Sequence, residues 1–192
     1  MRYLNKIVFI NSAAIRYSEV QLDGNIHLIG TQGVGKSTIL RAILFFYNAD
    51  TQRLGIPVEK KSYQDYYFPY ADSSIIYEVA REDGWFTVLS YKTMNRISYR
   101  FIASPYRPDL FIDEEGAPYP SDRIRSVLDK NGIKYSGAIS TYEEYRNILY
   151  GNSDNKRDYS CYSLMESGSY QNIIRTIQNV LLNSRLEADY IK

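Results

Sequence analysis

A chain of 192 residues with a formal net charge of +1 has room for one domain with a proper core, and lacks the strongly basic balance of a general nucleic-acid binder. Its single cysteine, Cys161, excludes an internal disulfide framework and suits a reducing compartment. No apolar run approaches the ~20 residues of a membrane span, and Met1–Lys6 lacks a signal peptide's apolar core, so a cytoplasmic location is expected.

Tyr3 to Ile10 is apolar enough for a strand, and Glu19 to Leu22 alternates as a half-exposed strand should. Asp23-Gly24 signals a turn into a short buried strand, Asn25 to Ile29, which carries the only histidine, His27, as a packing residue. Directly after it, Gly30-Thr31-Gln32-Gly33-Val34-Gly35-Lys36-Ser37-Thr38 fits the pattern G-x-x-x-x-G-K-[ST]. Glycines without a Cβ let successive N–H groups point into one concavity, and a helix start adds partial positive charge. Phosphate oxygens suit that concavity, the Lys36 ammonium can reach β- and γ-phosphates, and the Ser37 hydroxyl can take one position on Mg²⁺. Ile39 to Phe46 then reads as a helix buried against a sheet. This strand–loop–helix context predicts binding of a nucleotide, ATP first among them.

Asn48 to Tyr70 is polar and irregular, broken by Gly55-Ile56-Pro57. Ser74 to Ala80 and Trp85 to Tyr91 read as a hairpin turned by Asp83-Gly84, with Ile97 to Ile102 as a third strand of period two. Asp109 to Gly116 superficially resembles a Walker B strand ending in Asp113 and Glu114. Its apolar run is only Leu110-Phe111-Ile112, and Glu115-Gly116 before Pro118 favours a turn between short strands. Ser121 is expected to cap a helix to Lys130, closed by Asn131-Gly132, and Thr141 to begin another through Leu149, ended by Gly151. Gly151 to Tyr159 reads as a surface loop, Tyr162 to Met165 as a brief strand, and the chain from Ser169 onward as helix. The twenty tyrosines are expected at half-exposed positions on antiparallel strands rather than as platforms for bases, because Lys and Arg do not gather beside them. One histidine and one cysteine argue against a zinc site.

Opening strands, a Gly-Val-Gly-Lys-Ser-Thr loop, an apolar helix and an antiparallel β part together resemble the N-terminal head half of SMC-like ATPases. The resemblance covers most of the chain, with the P-loop as its one sharply specific motif. It implies an α/β P-loop NTPase fold of the ABC type: strands, P-loop and helix in 1–50, an antiparallel β subdomain in 51–120, and a helical part in 121–192. The last helix would lead toward a coiled coil. It also implies ATP and Mg²⁺ held by Gly30 to Thr38, with Ser37 on the metal. In that family a glutamine just after a strand helps hold Mg²⁺; Glu166 occupies that place here, and its carboxylate could serve. An arginine after the P-loop helix approaches phosphate in some such heads, and Arg53 is the nearest match, with a solvated surface role as its alternative.

No Walker B or signature motif is legible, since Ser167 to Gln171 reads as a helix cap. No residue of the chain is therefore assigned as catalytic. The resemblance implies that both motifs come from elsewhere: a C-terminal head half, and a second head in an ATP-bound head-to-head dimer. DNA would be contacted through the full-length assembly, with no membrane partner. Two other classes stay open: a self-contained small kinase or GTPase using Asp113 or Glu114, and a nucleotide-gated DNA-binding module that does not hydrolyse.

Overall fold

A computed structural model describes residues 2–22, 35–48, 63–165 and 175–180 of the chain. Its frame is one antiparallel sheet. Strands β1 (Tyr3–Ser12), β2 (Ile15–Gln21), β3 (Ser74–Arg81), β4 (Gly84–Thr93) and β5 (Arg96–Ile102) lie in the order β2-β1-β3-β4-β5. The parts drawn at 1–50 and 51–120 therefore share a sheet, because β1 pairs with β3 from Tyr3↔Ala80 to Ile10↔Ser74.

Three tight hairpins set the register. Ser12↔Ile15, Arg81↔Gly84 and Thr93↔Arg96 close them, each around two residues. The second turn is Glu82-Asp83, one residue earlier than expected, and Gly84 follows it at φ 140° as the first residue of β4.

Helices on both faces explain why the strands read as nearly continuous apolar runs. One face carries Ile7, Phe9, Ile75, Tyr77, Val79, Val88, Tyr99 and Phe101 against α1 (Lys36–Asn48), α4 (Tyr142–Leu149) and the helical residues 175–180. The other carries Val8, Ile10, Ile76, Leu89 and Ile102 against α3 (Ser121–Lys130) and the turn at Leu110-Phe111. Each fully buried large apolar side chain in these layers contributes roughly 1.5–3 kcal/mol. The polar alternates of β5 are buried too. The Arg100 guanidinium donates to the Ser136 carbonyl at 2.6 Å and lies 5.4 Å from the Tyr135 ring centroid. The free edge of β5 is covered by 135–139, through Tyr99↔Ile139 and Ile102↔Tyr135.

Local signals held unevenly in the second half. Thr141 caps α4, its hydroxyl accepting from the Glu144 amide at 3.2 Å. For α3 the cap is Pro120, with φ −59° and ψ 154°, and Ser121 is already the first helical residue. A short helix, α5 (Lys156–Tyr159), stands where a loop was expected, because Asn155 accepts from the Asp158 amide at 3.2 Å. Tyr162 ends a 3-10 turn instead of opening a strand, and Leu164 then donates to the Leu149 carbonyl at 2.6 Å. The polar stretch before β3 contains the short helix α2 (Tyr63–Tyr67).

Candidate nucleotide-binding site

The motif enters the described structure at Gly35 and runs straight into α1. The Ile39 amide donates to the Gly35 carbonyl at 3.2 Å, which makes Lys36, Ser37 and Thr38 the first helical turn. Their amides have no acceptor within the helix, as at any helix start. That turn has no acidic side chain to offset its partial positive charge. Lys36 is exposed and Ser37 and Thr38 half-exposed, while Ile39, Leu40 and every residue from Ala42 to Tyr47 are buried. The helix thus buries its body and presents its N-terminal end.

Gly35 tests whether phosphate suits this end. Among the described residues a Cβ built there would meet only the Thr38 hydroxyl, at 3.7 Å, an ordinary contact. Packing against the described residues does not require glycine at this position, which is consistent with close approach of a ligand. Gly30, Thr31, Gln32, Gly33 and Val34 of the motif, together with His27, Arg53 and Glu166, lie outside the described residues.

The feature that sequence reasoning missed is how α1 is held. Four tyrosine hydroxyls donate to its backbone carbonyls: Tyr67 to Thr38 at 2.9 Å, Tyr77 to Ala42 at 2.9 Å, Tyr145 to Phe46 at 2.6 Å, and Tyr150 to Tyr47. The last two meet carbonyls of the final turn, which have no acceptor role inside the helix and no basic side chain nearby in sequence. The expected half-exposed placement of tyrosines is corrected here. Tyr67, Tyr77, Tyr99, Tyr145 and Tyr162 are among the largest fully buried side chains. For Tyr67, Tyr77 and Tyr145 the hydroxyl finds a carbonyl, which lets a phenol enter a core readily. The Tyr99 and Tyr162 hydroxyls have no hydrogen-bond partner among the described residues. Burial pushes the Tyr67 and Tyr145 hydroxyls upward in pKa, which keeps them neutral donors. Each donor is 29 to 103 residues from its acceptor, so no local pattern reveals the pairing.

The segment resembling Walker B has a different geometry. Pro108–Leu110 is a 3-10 turn, Ile112 bridges Pro118, and Gly116 takes φ 85° between them. The Asp113 carboxylate accepts from the Glu115 and Ala117 amides, both at 2.9 Å, and so organises its own turn. Glu114 is exposed. Leu110 and Phe111 pack in the layer on the far side of the sheet from α1.

A second anchored segment lies at the other end of β3. The Arg2 guanidinium donates to the Ser163 carbonyl at 3.1 Å, and Arg81 donates to the Ser160 and Ser163 carbonyls, both at 2.9 Å. Arg2 also pairs with Glu82 at 2.6 Å, and its hydrogen bond pulls the Glu82 carboxyl down to about 2. These contacts fix the chain just before position 166.

Fold and site together define a mixed α/β protein built on a five-stranded antiparallel sheet, with a Gly-Lys-Ser-Thr run opening a buried helix. Over residues 11–179 the chain matches a family described as a protein of unknown function, DUF3584, and it belongs to that family. No curated protein matches it. Among the described residues no helix is long and apolar enough to cross a membrane, and no group of three or more His, Cys, Asp and Glu side chains is placed to hold a metal.

Proposed function

We propose that the chain is the ATP-binding N-terminal half of an SMC-like ATPase head, with a P-loop NTPase fold. The observation that carries this reading is the join at Gly35: the phosphate-binding pattern continues without a break into the exposed first turn of a helix whose body is buried. Gly30 to Gly35 would present backbone amides to the phosphates, Lys36 its ammonium, and Ser37 its hydroxyl to Mg²⁺. ATP with Mg²⁺ would supply the reacting phosphoryl group and a divalent charge. Arg53 and Glu166 are proposed as further contacts to phosphate and metal. Water activation is assigned to a C-terminal head half bearing Walker B, and the signature motif to a facing head, since phosphoryl transfer depends on positioned charge and the sequence offers Lys36 but no legible Walker B residue to orient water. DNA contact belongs to the assembled protein, in the cytoplasm.

Asp113 does not favour the self-contained kinase or GTPase. Its carboxylate is occupied by two amides of its own turn, and the adjoining Leu110-Phe111 pack on the opposite face of the sheet from α1. Calorimetry on the chain and on Lys36→Ala tests the reading. Mg²⁺-dependent ATP binding with a dissociation constant on the order of 0.1 mM is expected for a half site, absent in the variant. Equal affinity in both proteins overturns it. Robust hydrolysis by the chain alone, lost in Glu114→Gln, would instead establish the self-contained enzyme.

A further inference from the structure

The four hydroxyls along α1 differ in what they hold. Tyr77, Tyr145 and Tyr150 bond carbonyls from Ala42 onward, in the body and C-terminal turn. Tyr67 alone among them bonds the first turn, at the carbonyl of Thr38, next to Ser37 and two residues from Lys36. Its side chain is fully buried, and it reaches this place from α2. That helix is itself fixed to the sheet and the core. Asp65 pairs with Lys92 of β4 at 3.5 Å, and the following Phe68 is fully buried, its amide bonded to the Gln64 carbonyl at 2.9 Å.

The Arg41 guanidinium, one turn along α1, is close enough to the Tyr67 hydroxyl to interact with it favourably. The hydroxyl itself donates to the Thr38 carbonyl, and this bond ties the first turn of α1 to a residue rooted elsewhere in the fold. In a helix the first turn is the part that frays most readily, because its amides lack partners.

We propose that Tyr67 is a positioning residue for phosphate binding: it holds the first turn of α1 in register with the sheet, so that Lys36 and Ser37 meet their ligand without first being ordered. This rests on the reading of that turn as a nucleotide site. Disorder that a ligand must remove reduces its affinity, and a turn already ordered escapes that cost.

Tyr67→Phe and Tyr77→Phe make the test. Each keeps the ring, removes one buried hydroxyl from one α1 carbonyl, and carries a comparable structural penalty. The 192-residue chain is used throughout, with Mg-ATP as the calorimetric probe and hydrogen–deuterium exchange measured without nucleotide. Tyr67→Phe should weaken Mg-ATP by about fivefold or more, the equivalent of one lost hydrogen bond, and speed exchange of amides 39–42, which bond the carbonyls of the first turn. Tyr77→Phe should leave affinity within about twofold and keep those amides protected. Equal affinity losses in both variants would make Tyr67 merely structural and overturn the inference. Unchanged exchange at 39–42 in Tyr67→Phe overturns it even if ATP binds. Absence of ATP binding by the parent, with the exchange difference intact, instead defeats the nucleotide reading and leaves Tyr67 as a brace of the helix start.

Discussion

Two stretches of this chain look like nucleotide motifs, and the fold treats their polar residues in opposite ways. At the start of α1, Lys36 is exposed and Ser37 half-exposed, and glycine at 35 answers no steric demand of the described residues. At the turn after Leu110-Phe111, the Asp113 carboxylate is committed to the Glu115 and Ala117 amides, and Gly116 is required by a φ of 85°. A motif residue is available to a ligand only where the fold has not already given it a partner. The same residue types in the second stretch serve the chain's own geometry.

The largest expected effect breaks the first half of that contrast. Gly35→Ala should behave like Lys36→Ala, weakening Mg-ATP at least about a hundredfold by calorimetry, while thermal melts without nucleotide stay near the parent. Unfolding of Gly35→Ala would show that the glycine serves the fold after all. Next in size is a comparison within the tyrosines. Tyr145→Phe leaves the Phe46 carbonyl without its donor and should lower stability by about 1–2 kcal/mol, or roughly 3–6 °C in melting temperature. The Tyr99 hydroxyl is buried with no hydrogen-bond partner among the described residues, so Tyr99→Phe should be neutral or stabilising by up to about 1 kcal/mol in denaturant titrations. Equal destabilisation by both would refute the view that hydroxyl–carbonyl bonds account for the buried tyrosines.

Asp113→Ala sharpens the second half. It should cost about 1 kcal/mol through its turn and leave ATP affinity untouched, the reverse of Lys36→Ala. Glu114→Gln, at an exposed position, should change stability by less than about 0.5 kcal/mol and nucleotide binding not at all. A loss of binding in Asp113→Ala would restore this segment to the site.

The smallest effect lies at Arg2–Glu82. A carboxyl depressed to about 2 from 4.5 stabilises the fold above its unfolded pKa and loses that contribution as pH falls toward 2. Solvent screening makes the contribution small, since Glu82 is exposed. Carbon NMR should show Glu82 titrating near pH 2 in the parent and near its ordinary value in Arg2→Ala. An unchanged midpoint would mean the pair does not persist in solution.

Much of the layout follows from local physics and was legible in the residues. Alternation and turn chemistry placed β3, β4 and β5 within a residue or two, Thr141 announced α4, and the apolar run after Thr38 announced α1. Local sterics and capping set these features, so a window of ten residues contains their cause. The placement of Lys36 and Ser37 at a helix start was legible for the same reason, because the motif that leads into that helix is made of consecutive residues. Asp113 belongs with these local features, since its carboxylate accepts from amides only two and four residues further on. Two things came only from tertiary contact. The union of β1 with β3 joins segments some seventy residues apart and makes one sheet of the two β parts. And Tyr67, Tyr77, Tyr145 and Tyr150, of a residue type that by composition suits wet strand surfaces, entered the core where carbonyls of α1 met their hydroxyls from across the chain. A side chain's polarity is written in the sequence, but its partner is decided by packing.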